Sequence, residues 1–255
     1  MAVRFDAASE NYTAATGLPS NVYTFAAWIR PAAVGATNRV VYWLTTSGDV
    51  FTGIQVRSNA STDLQAYDSG SYAFNGLGPL SASAGVWYRV ALVVNGANAT
   101  FYRAAAGDVL GSASAANFTT PATPTSFHLG DDPYDEYWDG RLAAVKMWQA
   151  ALTPAEVEVE LGQYTPRRTA DLLRWHPFIT AEATDYSGNG HTLSGGTGTT
   201  TEDGPPIPWG AAPIVLGKPA AAVAGEGLAG RIAGLPSAVG SVVQPATRSL
   251  VGAVT

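Results

Sequence analysis

The sequence contains no cysteine, which removes a disulfide framework, a zinc knuckle and a thiol nucleophile together. Charge is also scarce. Charged residues make up 13% of the chain, about half the usual share, and only two of the 14 basic residues are lysines. The net charge of −6 leaves no basic face for nucleic acid or an anionic membrane. No run of 18 apolar residues occurs, so no membrane-spanning helix is expected. Residues 1–13 lack the basic leader and apolar stretch of a signal peptide. There is no G-x-S-x-G elbow and no phosphate-cradling glycine loop. The histidines, His128, His176 and His191, are isolated, and none has H-x-x-x-H metal-pair spacing.

What the chain does have is apolar and turn-forming residues. Apolar residues reach 46% and aromatics 10%, with 28 glycines and 16 prolines in 255 residues. That length allows one large β domain or two small ones, and the glycines and prolines favour turns over long helices. Strands are predicted at residues 3–5, 21–30, 39–45, 50–57, 63–67, 87–94, 99–103, 126–129 and 141–148. Turn signals such as Ser47-Gly48, Asn75-Gly76 and Gly107-Asp108 fall between them at β-sandwich spacing. Asn95-Gly96-Ala97-Asn98 joins the clearest hairpin. In the 21–30 strand, Phe25, Ala27 and Ile29 share one face, and Thr24, Ala26 and Trp28 the other.

Residues 137–159 carry the most distinctive pattern. An aromatic loop enters a strand at Asp139-Gly140, in which alternation puts Ala143, Val145 and Met147 on one face and Leu142, Ala144 and Trp148 on the other. A short helix follows to about Leu161. Thr153 is its N-cap, Pro154 suits the first turn, and Glu156 can complete a capping box. Residues 168–175 can add a turn or strand, and residues 185–193 read as a tight turn leading into one more strand.

These segments, taken in order, resemble a known family. Residues 3–31, VRFDAASENYTAATGLPSNVYTFAAWIRP, resemble the opening of the laminin-G-like, or concanavalin A-like, jelly roll, where an FDG…Y segment precedes a strand ending in aW-x-x-P. Gly85-Val86-Trp87-Tyr88-Arg89-Val90-Ala91-Leu92-Val93 resembles its W-x-h-v-A-l-v strand, and Phe127-His128-Leu129-Gly130 its lrIG strand. Trp138-Asp139-Gly140-Arg141-Leu142 through Thr153-Pro154-Ala155-Glu156 resembles its closing strand and helix. The resemblance implies an all-β antiparallel sandwich with one short helix. It implies a recognition role more than any one activity, because the family includes lectins, pentraxin-like binders, adhesion modules and glycosidase-associated domains. Two departures stand out. The W-x-F…D-x-S-G-N-G element, which precedes the jelly roll in many relatives, follows it here as Arg174-Trp175-His176-Pro177-Phe178 and Asp185-Tyr186-Ser187-Gly188-Asn189-Gly190-His191. It either supplies a closing strand or begins a truncated second copy. The family's acidic residue in the closing strand is Ala143 or Ala144 here, so a ligand role at that position is not carried over.

The densest polar cluster is residues 131–139. Asp131, Asp132, Asp135 and Asp139 are hard oxygen ligands that suit calcium, which some relatives hold at the sandwich rim. The alternative is a solvated loop whose aspartates cap turns through their own backbone. Tyr134, Tyr137 and Trp138 can stack on a sugar ring, or cover one end of the core. Catalysis finds little support. The E-x-D-x-x-E run of the laminarinase-like branch is missing, and Glu156, Glu158 and Glu160 scatter around a helix, where they are expected to face solvent.

After about residue 203 aromatics disappear, except Trp209, and Ala, Gly, Val and Pro dominate without period. Two regions follow: a sandwich over 1–203 and an extended anchoring tail over 204–255. The tail's anchoring side chains are Trp209, Ile214, Val215, Leu216, Leu228, Ile232, Leu235, Val239 and Leu250. An aliphatic extension is what a subunit uses to fasten itself to an assembly, so the expectation is a non-enzymatic structural protein of a tailed bacteriophage virion. It would be a minor tail or capsid-decorating subunit, held by its tail to other virion proteins and to copies of itself. The second reading is a carbohydrate-binding lectin or surface adhesion module that contacts a host glycan.

Overall fold

The computed structural model describes residues 1–7, 10–35, 39–45, 51–57, 63–68, 81–116, 124–131 and 136–208. Every side chain assigned to anchoring lies in 209–255, outside the described residues, as do Asp132, Tyr134 and Asp135. The described chain forms β1 (Ala2–Phe5), β2 (Tyr12–Ala15), β3 (Val22–Pro31), β4 (Arg39–Thr45), β5 (Phe51–Val56), β6 (Leu64–Asp68), β7 (Tyr88–Asn95), β8 (Asn98–Ala105), β9 (Gly111–Ala116), β10 (Ser126–Leu129), β11 (Gly140–Trp148), α1 (Pro154–Leu161), β12 (Leu172–His176), β13 (Ser194–Gly195) and β14 (Thr200–Glu202). All pairings are antiparallel and fall into two sheets, as expected for a sandwich. The first runs β14-β1-β11-β3-β7-β8-β9, with β12 also on β11; the second runs β13-β2-β10-β4-β5-β6.

Alternation explains the core. On β3, Tyr23, Phe25, Ala27 and Ile29 face the second sheet, and Phe25 stacks on Tyr42 with ring centroids 3.7 Å apart. Phe127 completes this aromatic cluster. Each such burial contributes about 1.5–3 kcal/mol. The Gly96-Ala97 turn between Asn95 and Asn98 closes the β7–β8 hairpin, with Gly96 in the left-handed region at φ 64°.

Strand β11 breaks simple alternation. Leu142, Val145 and Met147 face the core, whereas Ala143 and Ala144 both face outward, against Trp28 and Tyr164. The cause is a bulge at Ala144, which takes a left-handed φ of 49° where the pairing with β3 shifts between Ala143 and Lys146. The inserted residue resets the face of everything before it. The predicted grouping of Ala143 with Val145 and Met147, and of Leu142 with Ala144 and Trp148, is corrected accordingly. At the same point the free edge of β11 changes partner: β1 pairs with Gly140–Leu142, and β12 takes over from Val145, with the Ala144 N–H bonded to Pro177 O at 3.2 Å.

The W-x-F part of the element therefore begins in a closing strand, β12, and not in a second copy, and its D-x-S-G-N-G part forms the turn that follows. Asp185 accepts the N–H groups of Trp175, Ser187 and His191 at 2.8–3.0 Å, and Asn189 Nδ2 donates to the carbonyls of Leu172 and Leu173. The turn clamps β12 onto the sheet. Its inner face brings Arg174 and His176 into the core; Arg174 donates to the carbonyls of Ala15 and Thr16 and lies 4.3 Å over the Phe127 ring.

Candidate functional site: one sheet face, divided

The outer face of the first sheet is where sequence-predicted and unpredicted residues meet. At one end α1 covers it. Thr153 caps this helix and completes the expected box with Glu156. Outward residues of the strands hold the segment after β11: Thr24 Oγ1 donates to Ala150 O, Trp28 Nε1 to Leu161 O and Trp148 Nε1 to Arg168 O, at 2.7–2.8 Å.

Three glutamates on α1 have three fates. Glu156 sits in the cap and pairs with Arg168 at 2.6 Å. Glu158 is exposed and pairs with Arg89 at 2.9 Å. Glu160 was expected in solvent and is instead buried, because α1 lies flat on β3 and β7 and its last turn points at Lys146. Lys146 Nζ donates to Glu160 Oε2 at 3.2 Å and to the carbonyls of Glu160 and Gln163 at 2.6 and 2.7 Å. Glu160 Oε1 accepts the N–H groups of Arg167 and Arg168. Burial pushes the Lys146 ammonium down to about 8, against the pull of Glu160.

The rim loop differs from expectation. Trp138 is wholly inside the core, so its ring is not presented to a sugar. It is held there by Gly140, where a Cβ would come within 2.9 Å of the indole and 2.4 Å of Arg30 O. Tyr137 is half-buried. Asp131 accepts from Asn11 Nδ2 at 2.7 Å, and Asp139 from Arg4 Nη1 at 3.0 Å. Both carboxylates thus have protein partners, and no group of three His, Asp or Glu among the described residues could hold a metal ion. The other two aspartates expected to ligate calcium, Asp132 and Asp135, lie outside the described residues.

Beside Asp139 the sheet face stays open, and a feature that sequence reasoning missed appears there. Arg4 on β1, Arg141 on β11 and Arg30 on β3 are direct cross-strand partners, Arg4↔Arg141 and Arg141↔Arg30. Each follows an inward or tightly packed residue, in Val3-Arg4-Phe5, Ile29-Arg30-Pro31 and Gly140-Arg141-Leu142, so all three point outward. With Pro31, Ala32, Gly85 and Glu202 they line a recess of about 180 Å³. Arg4 pairs with Asp139, Arg141 pairs with Glu202, and Glu202 also lies 3.9 Å from Arg4 Nε. Arg30 Nε donates to Gly85 O at 2.6 Å. The only signal in the sequence was an arginine set in an otherwise alternating strand three times over. It becomes a cluster only once β1, β11 and β3 are known to be neighbours.

A second recess, about 530 Å³, lies near the end of α1 and is lined by Trp28, Arg89, Asp108, Glu158 and Ile207 among others. Arg89 occupies its polar side, donating to Glu158 and, at 2.5 Å, to Asp108 O. Among the described residues, the carboxylates with clearly shifted titration, Glu156 and Asp185, are both lowered. In Glu156 the main cause is the Thr153 N–H; in Asp185 burial pushes up but the N–H groups of Trp175, Ser187 and His191 outweigh it. A general acid needs the opposite shift.

Two antiparallel sheets, a capped helix closing one face and an open polar patch beside it define a lectin-like sandwich. Residues 6–158 match the concanavalin A-like lectin/glucanases superfamily, and the chain belongs to that family. Among solved structures, a putative carbohydrate-binding protein from Bacteroides ovatus is similar over 82% of this chain and 61% of its own, at 17% identity and a TM-score of 0.53. Domain 4 of an extracellular arabinanase from Geobacillus stearothermophilus, in complex with arabinotriose, is similar over 58% of this chain and 70% of its own, at 18% identity and a TM-score of 0.47. The enzymatically active domain of a tailspike protein of bacteriophage CBA120 gives 12% identity and a TM-score of 0.46, over 65% of this chain and 28% of its own. No curated protein sequence matches the chain.

Proposed function

We propose that this protein is a non-enzymatic recognition subunit: a lectin-like sandwich that meets a saccharide on its surface while residues 204–255 fasten it to a larger assembly. The setting we assign is the virion of a tailed bacteriophage, on a tail or capsid. The observation that carries this reading is that strand pairing among the described residues is complete by residue 202; residues 204–208 still pack on the sandwich, where the Tyr164 N–H donates to Pro208 O at 3.2 Å. The last strand, β14, pairs with β1 over Thr200–Glu202, and every described strand finds its partner by that point. The aliphatic, aromatic-poor sequence beyond is thus available for a different task, and a segment that orders on docking offsets its lost entropy by apolar burial. Against hydrolysis stand the engaged glutamates of α1 and the lowered carboxylates.

The test compares the full chain with one ending at Pro208. Light scattering should find the full chain self-associated or bound to other virion proteins and the shorter chain monomeric, with thermal midpoints within a few degrees. A full chain that stays monomeric and binds no virion protein overturns the anchoring. The second reading, a free-standing carbohydrate-binding lectin, draws on the family and the open sheet face, and a saturable glycan-array signal from that same monomer would favour it.

A further inference from the structure

We propose that the arginine row Arg4–Arg141–Arg30 is an oxyanion subsite that selects an acidic saccharide, bearing either a uronate carboxylate or a sulfate ester. This deepens the saccharide-recognition reading and rests on it.

Like charges directly opposite on neighbouring strands are destabilising, and here three guanidiniums stand in register across three strands. Among the described residues two carboxylates, Asp139 and Glu202, are paired with this row. Three cations against two anions among the described residues leave a local positive excess, in a chain whose net charge is −6. The excess is centred on Arg30. Its Nε is spent on Gly85 O, with Nη2 on the same edge near Gly85, which fixes the plane of the guanidinium and leaves its far end, the Nη1–Nη2 pair, to face an end-on partner. A planar fork held this way suits bidentate contact with a carboxylate or sulfate better than a lysine would.

The recess also has the character of a selective site. The paired side chains are about one-sixth to one-third exposed, so their charges are partly shielded from water. About 180 Å³ admits one charged group and part of the ring that bears it. Glu202 already occupies the anion position on Arg141 and therefore competes with any ligand.

The experiment uses the full chain and calorimetric titration at low salt with three oligosaccharides of equal length: a galacturonate hexamer, a heparin-derived sulfated hexamer and a neutral galactan hexamer. An acidic hexamer should bind at least tenfold more tightly than the neutral one and weaken with added salt, and the stronger of the two identifies carboxylate or sulfate as the group selected. Arg30→Gln should lose at least tenfold of that affinity. Glu202→Gln should tighten it several-fold, a gain that misfolding cannot imitate. Equal binding of neutral and acidic hexamers, unchanged by either substitution, overturns the subsite and leaves saccharide recognition standing. Binding of none of the three overturns both. Inorganic sulfate or acetate binding as tightly as the hexamers overturns the saccharide part.

Discussion

Lys146 and Arg141 belong to one strand and both face outward from the first sheet, yet they sit in opposite environments. Lys146 lies under α1 with all its protons donated to Glu160 and two carbonyls. Arg141 stands at the open end with two other arginines beside it and an imperfect complement of acids. The neighbouring strand repeats the contrast: Trp28 closes onto the end of α1, while Arg30 is half-buried at the recess. The same sheet surface is therefore spent on stability at one end and left as charge at the other. Where cations are matched one for one and buried, the role is structural. Where they exceed their partners and meet solvent, a ligand has something to neutralise.

Breaking the covered end should have the largest effect. Lys146→Met leaves the Glu160 carboxylate buried without its cation, and urea unfolding should show a loss of about 3–5 kcal/mol. Adding Glu160→Gln should recover part of it, measured as a double-mutant coupling. Acid should attack the same end by another route. β12 completes the covered half of β11 and carries His176, whose pKa burial lowers to about 4, with Asp185 opposing and Arg174 reinforcing. A histidine kept neutral by the fold adds stability that is complete above its unfolded value near 6.5 and is lost as pH falls toward 4. That is about 3 kcal/mol across the window at 1.36 kcal/mol per unit. His176→Gln should flatten the slope of unfolding free energy against pH between 6.5 and 4. The smallest effect belongs to the open end. Arg30→Gln should change stability by less than about 0.5 kcal/mol, so a large loss there would turn the recess from a binding feature into a structural one.

Much of the frame was readable in advance. The β3 faces, the β7–β8 hairpin and the Thr153–Glu156 cap follow from local rules acting over a few residues. What was not readable depended on partners distant in sequence. β9, Gly-Ser-Ala-Ser-Ala-Ala, is a strand because it pairs along β8 and packs Ala113 and Ala115 on the core, and nothing in its small side chains announces that. The Ala144 bulge needs β1 and β12 competing for one edge. Glu160 looked like its solvent-facing neighbours until Lys146 was placed beneath it. Trp138 was read as either platform or plug, and the close approach allowed by Gly140 decides for plug. The arginine row needed the strand order itself.

Pairing of Val3 with Leu142 has an outcome for biosynthesis. Strand β1 emerges from the ribosome long before its mate β11, so the middle of the larger sheet zips up late. Topologies of such high contact order fold slowly and present raw strand edges to other nascent chains in the meantime. Crowded, simultaneous synthesis of many copies would then favour a helper chaperone, or growth at reduced temperature, for good yield.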